Sequence, residues 1–190
     1  MFKKISLIAV FAMLSFCAQA QEESKESKPS KFGFTAGVIE SNFKLKDPIL
    51  LNEDYNVGKY EGGGLFLGLT FDTEINENFG FNSELLVAKL DNSHRYLLSS
   101  SLKYRLFNSN FHALGGLELN YLSSAPDISN GNKGNRAGLN AIFGLEYEIN
   151  DRLSIYSSYS LETTNRFKHD NGNSYKGGYN NVRLGIKFKF

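Results

Sequence analysis

Two of the chain's three histidines stand beside the hydroxyl and carboxylate groups that acyl-transfer chemistry uses. His94 follows Ser93 and lies close to Asp91, while His169 is followed by Asp170 and then Ser174. A serine nucleophile needs an imidazole within hydrogen-bond reach and an acid to orient it. Such neighbours also arise in any Asn/Ser/Asp-rich turn, and no Gly-x-Ser-x-Gly elbow accompanies either group. The third histidine, His112, falls on the polar face of a patterned segment. Glu146 and Glu148 are a second candidate: in an extended strand they share a face about 7 Å apart, twice the rise per residue. Carboxylate pairs at such separations hydrolyse glycosidic bonds. Here Arg183 and Lys187 are available on another segment, so ion pairing is the simpler reading. Metal chemistry has no better support. The histidines are scattered, the single cysteine is Cys17, and no zinc spacing results. Asp47, Glu53 and Asp54 do not form a calcium loop, and Gly62-Gly63-Gly64 lacks the lysine and helix of a phosphate cradle. No catalytic residue, no metal site and no cofactor is expected.

The elements that position these groups are strands. From Phe32 onward, apolar residues alternate with polar or small ones at period two, the mark of strands with two different faces. Eight such segments follow one another, with apolar rows that begin Phe32-Phe34-Ala36-Val38 and end Val182-Leu184-Ile186-Phe188-Phe190. They run about 9–12 residues, the length a tilted membrane strand requires. The opposite face holds Gly33, Gly37, Gly64, Gly68, Gly116, Gly144, Gly185, Ser99, Ser101 and Ser158. Glycine weakens a solvated strand surface, whereas a narrow closed barrel needs small inward residues. Polar-in and apolar-out follows. The expected fold is all-β: an eight-stranded antiparallel up-and-down transmembrane β-barrel.

That same inner face carries ten charges: Glu84, Glu118, Glu146, Glu148 and Glu162 against Lys103, Arg105, Arg183, Lys187 and Lys189. An unpaired charge out of water costs several kcal/mol. The lumen is therefore expected to hold a salt-bridge network that plugs it. A gated conduit, in which the pairs exchange partners, is the functional alternative.

The ends of the chain bound its location. Lys3 and Lys4, the apolar run Ile5 to Phe16, and Ala18-Gln19-Ala20 have the three zones of a secretory signal peptide, with cleavage expected after Ala20. Once residues 1–20 leave, 19 basic side chains face 20 acidic ones and no cysteine remains. That balance argues against a nucleic-acid partner, and disulfides cannot staple the fold. Residues 21–31 are too polar to order themselves and read as a flexible leader. Residues 32–190 form the barrel domain.

The links divide by side. Those at 74–78, 107–110 and 150–152 are short, whereas 40–61, 123–136 and 164–178 are long and only 91–94 is brief on that rim. Short turns on one rim and long loops on the other are what outer-membrane barrels show. Aromatic residues gather at two heights, with Phe32, Phe79, Tyr104, Phe111, Tyr147 and Phe190 at one rim and Tyr96, Tyr121 and Tyr159 at the other, as at bilayer interfaces.

The terminal run Val182-Arg183-Leu184-Gly185-Ile186-Lys187-Phe188-Lys189-Phe190 resembles the C-terminal signal of outer-membrane barrels, with Val182, Leu184, Ile186, Phe188 and Phe190 its apolar positions. The stretch from Phe32 to Phe190 resembles the small OmpA/OmpX-like and PorT-like barrel domains. The resemblance implies an outer-membrane location in a Gram-negative-type bacterium and contact with barrel-assembly machinery. Those families hold adhesins, defence proteins and assembly factors, so the fold does not name the function. The expectation is a non-enzymatic barrel in a structural or surface-interaction role. Its expected partners are outer-membrane lipid, lipopolysaccharide and a surface partner held by the long loops. A small channel or carrier of hydrophobic molecules is the alternative, and a lipid-modifying enzyme comes third.

Overall fold

The computed structural model describes residues 30–45, 61–90, 93–126, 134–164, 166 and 177–190. The expected signal peptide, most of the leader and the centres of the long links lie outside them. The described part contains eight strands: β1 (Lys31–Leu45), β2 (Gly62–Glu74), β3 (Phe79–Leu90), β4 (Ser93–Arg105), β5 (Phe111–Leu122), β6 (Ala137–Glu148), β7 (Leu153–Glu162) and β8 (Gly177–Lys189). Each pairs antiparallel with the next, and β1 pairs with β8 to close the barrel. No edge remains unpaired, so every strand can meet its backbone hydrogen-bonding needs inside a lipid phase.

The alternation sorts as expected. Phe34, Leu67, Leu85, Leu102, Leu117, Phe143, Ile155 and Leu184 are exposed on the outer surface, while Thr35, Glu84, Lys103, Glu118, Glu146 and Arg183 are buried inside. For a protein in water this would be inverted, because large apolar side chains would cover the surface. Aromatic pairs brace the short-turn rim: Phe32–Phe71 at 5.0 Å, Phe79–Tyr104 at 5.0 Å and Phe111–Tyr147 at 4.6 Å between ring centroids.

Three tight turns set the register. In the first, Asn76 Oδ1 accepts from the backbone N–H groups of Asn78 and Phe79 at 2.9 and 2.8 Å. In the third, Asn150 Oδ1 does the same for Arg152 and Leu153, both at 2.9 Å. These are side-chain-closed turns of the kind asparagine favours. The middle turn places Phe107 and Asn108 in the left-handed region, with φ of 51° and 52°, and closes through Ser109 N–H to the Leu106 carbonyl at 2.9 Å. The Leu106 N–H donates to the Phe111 carbonyl at 2.8 Å, so this turn lies within a four-residue link, 107–110.

On the other rim the strands reach further than the alternation suggests. β1 continues to Leu45, β4 starts at Ser93 and β8 starts at Gly177, so parts of the links expected at 40–61, 91–94 and 164–178 are strand. The extension is cooperative: residues 41–45 of β1 pair with 177–181 of β8. Residues 177–181 are Gly-Gly-Tyr-Asn-Asn, which hides the pattern there.

The interior is not uniformly polar. Ile39, Phe66, Leu86, Ala88, Leu90, Leu97 and Tyr156 form a buried cluster, most of it from β1–β4. Where β1 meets β8, Gly37 and Gly185 are register partners. A Cβ on Gly37 would stand 2.8 Å from Phe66 Cζ, and one on Gly185 would meet Phe66 and Tyr156 at 2.8 and 2.9 Å. Glycine at both positions lets these two rings fill the lumen against bare backbone.

Candidate functional site

The inner face of each strand delivers its polar side chains to one column. At the short-turn end, Lys103 Nζ of β4 lies 3.1 Å from Asp72, 2.8 Å from Glu146 and 3.2 Å from Glu148. Lys189 Nζ of β8 shares all three acids, at 3.2 Å from Glu146, 2.9 Å from Glu148 and 4.0 Å from Asp72. Glu146 also receives Lys187 Nζ at 2.8 Å. Three ammonium groups thus converge on one carboxylate, which is fully buried, and each is shared with a second acid. Glu148 is less enclosed, with its side chain 26% exposed.

Lys187 carries the column upward. Its Nζ lies 3.0 Å from Glu84 and 4.6 Å from the centre of the Tyr156 ring, a cation–π contact that offsets part of its desolvation. Arg183 comes next, with its guanidinium 3.7 Å from Glu84 and 3.1 Å from Glu118, while its Nε donates to Ser158 Oγ at 3.1 Å. Neutral amides continue the chain: Asn140 Nδ2 donates to Glu118 at 2.8 Å, and Asn181 Nδ2 donates to Ser160 at 2.9 Å. Arg95 donates to Asn181 Oδ1.

The long-link end is closed by a second arginine. Arg166 pairs with Glu162 and donates to the carbonyl of Arg136 at 2.7 Å, so it ties the links after β5 and β7 together. The Asn135 N–H returns a bond to the Arg166 carbonyl at 2.8 Å. Arg95 and Arg166 both stack on Tyr179, at 5.1 and 5.6 Å from its ring centre. Gly138 makes the room, since a Cβ there would collide with Glu162 and Arg166.

Of the ten charges read from the sequence, Glu84, Lys103, Glu118, Glu146, Glu148, Glu162, Arg183, Lys187 and Lys189 therefore lie in ion pairs within the barrel. Arg105 is placed differently. It lies at the short-turn mouth directly across from His112, in a concave vestibule also lined by Asp72, Lys103, Glu148 and Lys189. Arg105 Nε and His112 Nδ1 are both buried there without a hydrogen-bond partner. Asp72, Arg95 and Arg166 were not read from the sequence. Asp72 and Arg95 each extend a strand's inner row by one position, so the alternation could have found them. Arg166 sits outside any periodic segment.

The candidate catalytic groups separate. Ser93 is buried and His94 is exposed, because adjacent strand residues point to opposite faces; they do not form a dyad. Asp91 and the His169, Asp170 and Ser174 group lie outside the described residues. Glu146 and Glu148 share Lys103 and Lys189, as ion-pair partners would.

Over residues 8–190 the sequence matches the family described as outer membrane protein beta-barrel domain. A search of curated proteins by sequence finds no match. Among solved structures, the fold is similar to that of Ail, the attachment invasion locus protein of Yersinia pestis, in complex with the heparin analogue sucrose octasulfate. The identity is 13%, the match covers 86% of this chain and 100% of that one, and the TM-score is 0.50. It is also similar to Neisserial surface protein A, at 14% identity, 86% and 100% coverage and a TM-score of 0.51.

Proposed function

The chain belongs to the outer membrane protein β-barrel family, and we propose that it is a non-enzymatic barrel with a structural or surface-interaction role, its lumen plugged by its own side chains. Family membership implies an outer-membrane location. Delivery there would follow removal of residues 1–20, with the short turns and both ends of the chain left in the periplasm and the long links outside. The terminal residues Val182, Leu184, Ile186, Phe188 and Phe190 would then serve the assembly machinery as its recognition segment.

One observation carries the plug: the run of charged and amide contacts from Asp72 and Lys103 through Glu146, Lys187, Glu84, Arg183 and Glu118 to Asn140. Its members come from β2, β3, β4, β5, β6 and β8. An eight-stranded barrel has an interior just wide enough for side chains to fill, and the apolar cluster occupies the other side. Ion passage would require several buried pairs to separate together, at a cost of several kcal/mol for each charge left alone. Reconstituted in planar bilayers, the protein should give no steady current above baseline. A steady large conductance would sink the plug and favour the channel reading.

Contact with other molecules falls to the long links at 40–61, 123–136 and 164–178. The last two hold Lys133, Arg136, Lys168 and Lys176, which favours an anionic surface sugar or lipopolysaccharide phosphate as the partner chemistry. Sucrose octasulfate, the polyanion in the Ail structure, is a suitable first probe. Binding that survives replacement of those four cations by serine would remove the links from the proposal.

A further inference from the structure

The outward face of the strands is almost free of charge. Among the side chains described, its formal charges are Glu40 of β1 and Lys89 of β3. Lys89 is the last residue but one of β3 and pairs directly with His94 at the start of β4. Both point outward at the rim that carries the long links.

An apolar trench starts at Lys89. It is lined by Val87, Leu67, Ala36, Ile186 and Ile155, which are successive partners across β3, β2, β1, β8 and β7. Ala36 gives it depth. It is a methyl group between Phe34 and Val38, so the floor falls to the backbone of Gly37 and Gly185. Because strands of such a barrel tilt by roughly 40°, the row is oblique to the membrane. It leaves the top of β3 and reaches the bottom of β7, where Ile155 is the third residue. Four strand spacings at that tilt give a drop of roughly 12 Å, so the upper part of the trench, from Lys89 past Val87 and Leu67 to Ala36, lies against the outer leaflet, and its foot at Ile155 reaches the short-turn side.

A cation at the interface followed by an apolar descent through one leaflet has the polarity of an amphiphile. We propose that this trench seats one acyl chain of an outer-leaflet lipid whose phosphate headgroup carries net negative charge, with the phosphate held by Lys89 and His94. This rests on the orientation given under Proposed function and names the class of lipid that the outer wall prefers. A zwitterionic headgroup, whose phosphate is already paired with its own cation, would use the trench but compensate the Lys89 ammonium group less. Recognition therefore has two separable parts, a charge that selects and a trench that retains.

Native mass spectrometry of the folded barrel released from detergent micelles, after incubation with dioleoyl phosphatidic acid or dioleoyl phosphatidylcholine, tests both parts. The native sequence should retain several times more of the phosphatidic acid. Lys89→Gln should remove that preference without reducing phosphatidylcholine retention, and Ala36→Phe, which fills the trench from outside, should reduce retention of both. Equal retention of the two lipids by the native sequence, or an unchanged preference in Lys89→Gln, overturns the inference. Failure of the chain to insert into vesicles of these lipids, read as loss of heat-modifiable gel mobility, would instead count against the membrane reading beneath it.

Discussion

Gly37 and Gly185 face each other across the β1–β8 ladder, and the Phe66 ring lies against both. The pair leaves room for an inward phenyl ring at the seam where the barrel closes. Adding a methyl at Gly185 brings it to 2.8 Å from Phe66 Cζ and 3.0 Å from the Ala36 carbonyl oxygen. Overpacking of this kind costs about 1–3 kcal/mol. Gly185→Ala should lower the urea midpoint by a corresponding amount, and Phe66→Leu in the same chain should recover part of it. Equal losses in the single and double variants would show that the ring is not the obstacle.

Glu146 is the acid on which Lys103, Lys187 and Lys189 converge. Removing one partner of a buried ion pair costs about 3–5 kcal/mol, because the other charge is left uncompensated. Glu146→Gln should therefore destabilise the folded barrel strongly in equilibrium denaturation. Glu148→Gln should cost less, since its side chain is partly open to the vestibule. The reverse order would mean that the convergence on Glu146 does not bear on stability.

Phe107 adopts φ of 51° and is 97% exposed. A left-handed conformation costs an ordinary L-residue roughly 1–2 kcal/mol, and asparagine tolerates it better. Phe107→Asn should raise the unfolding midpoint, unless the ring earns more by resting in the lipid interface. Measuring both variants in detergent micelles and in bilayers separates the two contributions, because the ring's contribution should change with the interface whereas the backbone's should not.

Arg166 links the connection after β7 to that after β5 through the Arg136 carbonyl at 2.7 Å. Arg166→Ala should release both connections while leaving the strands closed. Limited trypsin digestion of the intact barrel should then cut several-fold faster at Lys133 or Lys168, with heat-modifiable mobility retained. Unchanged cleavage rates would place the restraint elsewhere.

Phe190 packs against Phe34 at 5.7 Å and donates its N–H to the Phe32 carbonyl at 2.8 Å. Phe190→Ala should reduce the amount of assembled barrel in cells far more than the stability of barrel refolded in detergent. Matching losses in both settings would assign the residue to packing rather than to recognition during assembly.

The fold was legible because membrane strands must satisfy two solvents at once. Phe34 beside Thr35, Leu85 beside Glu84 and Leu184 beside Arg183 each declare which way they face. The column of charges followed from the same parity, which is why Glu84, Glu118 and Lys187 could be placed before any partner was known. Arg166 could not, since a residue outside the repeat has no parity and reaches the lumen only after the chain has turned. Nor could the apolar side of the interior. Phe66 and Leu86 interrupt the polar row, and only the closed geometry brings them together with Tyr156. His94 and Ser93 mislead for the opposite reason: adjacency in sequence puts them on opposite sides of the wall.

The pairing of Gly33 with Lys189 also sets when this protein can fold. The first strand's partner on one side is the last strand in chain order, so a chain in which β8 is still unmade has two open edges. The closed barrel cannot form before β8 has been made. A chain truncated by even one strand should therefore be a target for proteolysis rather than a smaller version of the same molecule.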